Sequence, residues 1–172
     1  MGMVSNEFCL ETPIENSYWI MPELFLAGEY PRNVDEKSSV NKLNCLYKAG
    51  IKVFIDLTGP TDRLKPYSLY PGQTRFNFFI SDLSIPSSVL MKEILDTIDF
   101  HIQANIPTYL HCWGGVGRTG TVVGCWFIRQ GYTAKEALSH LNTAWHQCPK
   151  SFYREIPDTK EQLNFILTYR PC

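Results

Sequence analysis

The run His111-Cys112-Trp113-Gly114-Gly115-Val116-Gly117-Arg118-Thr119-Gly120 sets a thiol, a glycine-rich stretch and a guanidinium side by side. The apolar residues 106–110 before it read as a short buried strand, and residues 119–130 after it as a helix. A strand-to-helix turn directs unpaired backbone N–H groups and the positive end of the helix dipole into the loop, which stabilises an anion there. The same field favours a thiolate: a free cysteine titrates near ~8.5, and at a helix N-terminus beside a cation the value falls by several units. Between Cys112 and Arg118 stand Gly114, Gly115 and Gly117. They allow the positive-φ geometry that curls the amides of Trp113, Gly114, Gly115, Val116, Gly117 and Arg118 into an anion nest. The planar guanidinium of Arg118 then suits a bidentate grip on two phosphate oxygens. The chemistry this pattern supports is transfer of a phosphoryl group to sulfur.

Other readings of the same residues compete. Gly115 to Gly120 also spells G-x-G-x-x-G, but that fingerprint belongs to a βαβ unit, and here Gly131 leads into a second helix over 133–144 with no strand between. A nucleotide P-loop needs Gly-Lys-Ser/Thr, whereas the chain has Gly117-Arg118-Thr119. A purely structural glycine turn around an inert buried cysteine stays open as well, although it leaves Arg118 unexplained.

The combination of His111-Cys112 with Arg118-Thr119-Gly120 resembles the His-Cys-x5-Arg-Ser/Thr signature of the cysteine-dependent dual-specificity protein phosphatases, within the protein tyrosine phosphatase superfamily. The likeness extends from Glu23-Leu24-Phe25-Leu26-Ala27-Gly28 through Val53-Phe54-Ile55-Asp56-Leu57 to Pro157-Asp158-Thr159, and the loop Cys112 to Arg118 is most similar to the kinase-associated phosphatase branch. The resemblance implies a cysteinyl-phosphate intermediate on Cys112, with Arg118 and the loop amides holding the phosphoryl oxygens. It also implies a loop carboxylic acid that protonates the leaving oxygen. Asp82, 30 residues before Cys112, has the family interval, with no Trp-Pro ahead of it; Asp56 and Asp62 compete for the role, and a helix cap is the bland reading of Asp82. By the same resemblance Thr119 offers a hydroxyl to the thiolate and His111 orders the loop. An ionised thiol acting with a protonated acid gives a bell-shaped dependence of rate on pH. No cofactor or metal is implied: His140, His146 and Cys148 are near one another in sequence but lack a paired ligand cluster.

The elements that must position these residues fit one catalytic domain over residues 1–172, with 1–12 loose. With 44% apolar and 13% aromatic residues there is material for a core. The flanks of Met21-Pro22-Glu23 read as a hairpin, residues 39–49 as a helix stopped by Gly50, and 53–57 as a buried parallel strand. Another strand ends in the apolar run 76–80. Leu90, Ile94, Ile98 and Ile102 form the stripe of a helix opened by Ser87 or Ser88, and the helix from Thr119 is apolar on every side, hence central. Thr133 with Glu136, and Asp158 with Glu161, form capping boxes that start two further helices. The fold expected is α/β: a short, largely parallel central sheet flanked by helices, with the phosphate loop between a strand and a helix.

A formal net charge of −1 gives no global drive toward nucleic acid or an anionic membrane. There is no basic segment followed by an apolar stretch near Met1, Asn6 stands where a myristoylation motif needs Ser or Thr, and a catalytic thiol requires a reducing compartment, so a cytoplasmic monomer without a membrane anchor is expected. The substrate expected is a phosphoprotein, with phosphotyrosine, phosphoserine and phosphothreonine all admitted by a shallow cleft. The alternatives are a phosphoinositide or other small phosphomonoester, or a non-catalytic phosphopeptide-binding module. Against the inositol lipid stands the lack of lysine inside the loop. Trp113 at the rim and Arg63 and Lys65 on the segment 58–70 are further candidates for substrate contact.

Overall fold

The computed structural model describes residues 11–172; most of the stretch 1–12 read as loose lies outside them. β1 (Ser17–Met21) and β2 (Phe25–Gly28) form the antiparallel hairpin expected. β3 (Val53–Asp56), β4 (Thr74–Asn77) and β5 (Thr108–His111) are parallel to one another and to β2, giving the order β1-β2-β5-β3-β4. β5 is therefore the middle strand. The chain leaving it emerges at the C-terminal edge of the sheet, where α/β folds place ligands.

β2, β3 and β5 are buried at every position, which is why their sequences carry no polar alternation. Side-chain alternation along them sorts two apolar layers. Phe25, Ala27, Val53, Ile55, Leu110 and Cys112 face one layer with residues of α2 (Ser88–Gln103), α3 (Gly117–Arg129), α4 (Ala134–Trp145) and α5 (Lys160–Thr168). Leu26, Phe54 and Tyr109 face the other with Leu43 and Leu46 of α1 (Glu36–Lys48) and with Tyr67. α3 is buried from Gly117 to Ile128, the central position its all-round apolar sequence requires. Val122, Val123 and Phe127 each contribute about 1.5–3 kcal/mol by leaving water, so the helix behind the loop is firmly seated.

Local chemistry moves several boundaries. α1 starts three residues ahead of the expected Ser39, because the Asp35 side chain accepts from the Ser38 amide. α5 is capped by Thr159 with Gln162 and not by Asp158 with Glu161; both pairs satisfy the capping spacing, but Asp158 is taken by Arg154 Nη2 at 2.5 Å. The strand read near 76–80 is the mostly exposed edge strand β4, held by pairing with β3 and not by burial. On α2 the buried stripe is Met91, Ile94, Leu95, Ile98 and His101, one position away from Leu90 and Ile102. Among the described residues no helix is long and apolar enough to cross a membrane.

Candidate active site

Cys112 follows directly on β5, and the strand's alternation turns it toward α3 while His111 points to the opposite face of the sheet, among Tyr30, Phe54 and Tyr67. Five residues later the chain enters α3, whose N-cap Val116 makes no side-chain bond to the first turn. The N-terminal amides of a fully buried helix are thus left without a cap beside the cysteine.

The conformation of the intervening loop is imposed from outside it. The carbonyl of Cys112 lies 3.2 Å from His111 Nδ1. The carbonyl of Trp113 accepts from the Tyr30 amide at 2.8 Å. The carbonyl of Gly114 accepts from Lys150 Nζ at 2.9 Å, and that of Gly115 from the Tyr18 hydroxyl at 2.8 Å. In a planar trans peptide the C=O and the following N–H point opposite ways. Four carbonyls held on the protein side therefore turn the amides of Trp113, Gly114, Gly115 and Val116 toward the cysteine side. The Gly115 amide donates to Cys112 Sγ at 3.3 Å.

Of the three loop glycines only Gly115 uses positive φ, 74°; a Cβ there would also lie 2.4 Å from the carbonyl carbon of Gly28. Gly117 serves a different need, because a Cβ on it would come within 2.6 Å of the Asp158 carboxylate.

His111 is fully buried, and burial pushes its pKa below the usual 6.5, with the nearby Asp56 opposing. Burial thus favours the neutral imidazole. Tyr67, whose pKa burial drives far up, donates to Nε2 at 2.8 Å, which leaves the proton on Nδ1 for the Cys112 carbonyl. In that tautomer His111 meets the first carbonyl of the loop through Nδ1. Asp56 serves the same layer: Oδ1 accepts from the amide and hydroxyl of Thr58 at 2.8 and 2.6 Å, and it does not line the cleft.

Arg118 is buried. Nη1 and Nη2 grip both oxygens of Asp62, at 3.1 and 2.7 Å, and Nη1 also donates to the Ile80 carbonyl at 2.9 Å. The bidentate partner of this guanidinium is a carboxylate of the protein, a contact the sequence reading did not assign. The Asp62 pKa sits below the usual 3.8; burial pushes it up, but the Arg118 hydrogen bond and the Gly59 amide together outweigh burial. Among the described residues Arg118 Nε is buried without a partner, as is Thr119 Oγ1. Two buried polar groups without protein partners among the described residues, next to an uncapped helix start, suit the binding of an anion. Asp82 lies on the turn Ser81–Ser84, half exposed, with Oδ1 3.3 Å from Arg118 Nη2. Of the three carboxylates considered, Asp62 and Asp82 line the cleft; Asp62 is buried in its bidentate grip on Arg118, whereas Asp82 is half exposed and meets Arg118 through one oxygen.

These residues open into a cleft of about 1150 Å³. Its lining holds Cys112, Arg118, Asp82, Trp113 and Gly114, along with Arg63 and Lys65. Trp113 is 55% exposed and stands at the rim. Arg32, Lys42, Lys150 and Arg154 also face the cleft, so its cations outnumber its carboxylates seven to four. The loop itself holds no lysine, and apart from Arg118 the cations of the cleft come from other elements. His140, His146 and Cys148 engage separately, with the Phe127 ring, the Asn142 carbonyl and Asn16.

A family model described as "Polymorphic toxin system, DSP-PTPase phosphatase" matches residues 30–132. The chain is 30% identical over 90 residues to an uncharacterised protein of Methanocaldococcus jannaschii, covering 52% of this chain and 51% of that one. It is 28% identical over 131 residues to the dual specificity protein phosphatase CDC14B of Mus musculus, covering 72% and 26%. To the phosphatidylglycerophosphate phosphatase PTPMT2 of Arabidopsis thaliana it is 31% identical over 102 residues, covering 57% and 45%. It thus spans about half the length of the first of these relatives and less of the others. Among solved structures, Tk-PTP in its active form superposes with a TM-score of 0.70 at 22% identity, over 88% of this chain and 93% of that one. Kinase associated phosphatase with its catalytic-site cysteine replaced by serine gives 0.65 at 15%, over 83% of each. At these identities the two structures speak for the fold.

Proposed function

Because this chain belongs to the dual-specificity phosphatase family of the protein tyrosine phosphatase superfamily, we propose that it hydrolyses phosphomonoesters on phosphoproteins, at tyrosine and at serine or threonine, through a cysteinyl-phosphate intermediate. The observation that carries this reading is the set of outward-held carbonyls, which turns successive amides toward Cys112 Sγ.

In the first step the Cys112 thiolate attacks phosphorus, an S–P bond forms and the P–O ester bond breaks. Asp82 gives a proton to the departing oxygen. The amides of the loop and of the first turn of α3 receive the equatorial oxygens, whose charge changes little in identity but is held in place through the transfer. Arg118 completes the cradle through Nε and the hydrogen of Nη2 turned away from Asp62, while Asp62 fixes the plane of the guanidinium. In the second step water attacks the phosphoryl group, Asp82 accepts its proton, and the S–P bond returns its electron pair to sulfur. Thr119 Oγ1, without another partner among the described residues, serves that leaving sulfur as a hydrogen-bond donor.

The cleft favours an anionic substrate over a neutral one, since cations line it on several sides. The same surplus favours a second reading, a phosphorylated lipid headgroup, which accords with the name of the Arabidopsis relative. Side-by-side hydrolysis of phosphopeptides and phosphoinositides by the purified protein, without added metal and with Cys112→Ser as control, tests both. Turnover of phosphopeptides alone supports the first reading; turnover of lipids alone replaces it by the second. Unchanged rates in Cys112→Ser reject the nucleophile.

A further inference from the structure

Lys150 stands outside the signature loop, on the short turn Pro149–Phe152, yet it is the one charged group among the four donors that hold the loop carbonyls. Nζ donates to the Gly114 carbonyl at 2.9 Å and pairs with Glu29 Oε2 at 3.2 Å. Its side chain is 14% exposed, so the contact is not that of a freely rotating surface lysine. Glu29 in turn is held by Lys42 on Oε1 at 2.5 Å and by Asn16 on Oε2 at 3.0 Å. The ammonium is therefore located from behind and aimed at one carbonyl. That carbonyl and the Gly115 N–H belong to the same peptide, and the N–H is the one that reaches Cys112 Sγ at 3.3 Å.

We infer that Lys150 is a positioning residue for phosphoryl binding: it fixes the Gly114–Gly115 peptide so that the Gly115 amide faces the nucleophile and the incoming phosphate. The inference rests on the phosphatase reading above. Polarisation of a carbonyl by a cation strengthens the donor at the other end of the peptide, so the lysine acts on the amide both sterically and electrostatically. Glu29 is the second component, because it prevents the ammonium from turning into solvent.

The test compares wild type, Lys150→Met, which keeps the stem and loses the donor, and Lys150→Arg, which restores a donor. Inorganic phosphate is the probe, read as its inhibition constant against an aryl phosphate, together with the NMR resonance of the Gly115 amide. Lys150→Met should weaken phosphate inhibition about tenfold, a fraction of the roughly hundredfold loss that follows removal of an oxyanion donor itself. Lys150→Arg should recover most of it. The loss should persist between about 0.05 and 0.5 M salt, because a hydrogen-bonded tether is not screened as a distant charge is. The Gly115 amide resonance should move in Lys150→Met and return in Lys150→Arg. Phosphate inhibition within twofold of wild type, or a loss that vanishes at high salt, overturns the positioning role. If wild type turns over no phosphomonoester while Lys150→Met still displaces the Gly115 resonance, the phosphatase reading falls and the tether stands.

Discussion

Tyr18→Phe isolates one hydrogen bond at the candidate site. The ring is fully buried and packs edge-on against Trp145 with centroids 5.4 Å apart; phenylalanine keeps that contact and removes the hydroxyl that donates to the Gly115 carbonyl at 2.8 Å. Burial holds the tyrosine pKa well above its ordinary value, so the wild-type group is a donor throughout the working range. Left alone, the Gly115 carbonyl is a buried acceptor without a partner, a penalty of about 1–3 kcal/mol. For a chain of this size each kcal/mol lowers the melting midpoint by about 2–4 °C. The 115–116 peptide is then free to rotate and the Val116 amide no longer faces the cradle in every molecule. Loss of an oxyanion donor outright costs about 2.7–4 kcal/mol in rate, and partial misorientation should cost about half of that, a fall in kcat/KM of roughly 10- to 30-fold. The control is Ser17→Ala, which removes another buried hydroxyl-to-carbonyl bond of the same strand, Ser17 Oγ to Ile14 O at 2.7 Å, a bond made outside the loop. Thermal unfolding and steady-state hydrolysis of an aryl phosphate measure both effects. Comparable destabilisation in the two variants, with rate loss only in Tyr18→Phe, is the expected pattern. Equal rates in Tyr18→Phe and wild type would refute the reasoning that the held carbonyls orient the amides.

Two other substitutions separate the carboxylates. Asp62→Asn should loosen the Arg118 guanidinium and lower kcat/KM about tenfold. Because the Asp62 pKa is depressed in the folded protein, its contribution to stability is full above the unfolded value of 3.8 and is lost as pH falls through the lower folded value; unfolding measured from pH ~6 to ~2 should show a shallower acid loss in Asp62→Asn. Asp82→Asn should lower kcat about 10²- to 10⁴-fold on esters with poor leaving groups and far less on activated aryl phosphates. A loss independent of leaving group assigns the proton to another residue.

What the sequence disclosed and what it concealed divide along chain separation. Cys112, the three loop glycines and Arg118 are contiguous, so the strand, the turn and the helix start that assemble them could be read from a few residues, and with them the α/β architecture. The groups that give the loop its conformation come from far along the chain: Tyr18 lies 97 residues from Gly115 and Lys150 lies 36 from Gly114. A tyrosine on an apolar strand and a lysine after a proline carry no local mark of such a role. Asp62 was visible as a carboxylate, but its bidentate pairing with Arg118 depends on a turn whose direction only the packed chain fixes. The cap of α5 went to Thr159 because two overlapping capping patterns satisfy the same spacing and Arg154 claims Asp158. The stripe on α2 shifted because His101 is accepted into the core, its Nδ1 close to the Thr97 carbonyl.

The sulfur–phosphorus bond is the centre of the account, and rapid quenching followed by peptide mass spectrometry looks for it directly. Wild type mixed with an activated aryl phosphate and stopped within the first turnover should yield one phosphorylated peptide, with the phosphoryl group on Cys112, and Cys112→Ser should yield none on that peptide while losing turnover. Full turnover with the phosphoryl group on a different residue, or undiminished activity in Cys112→Ser, would contradict it.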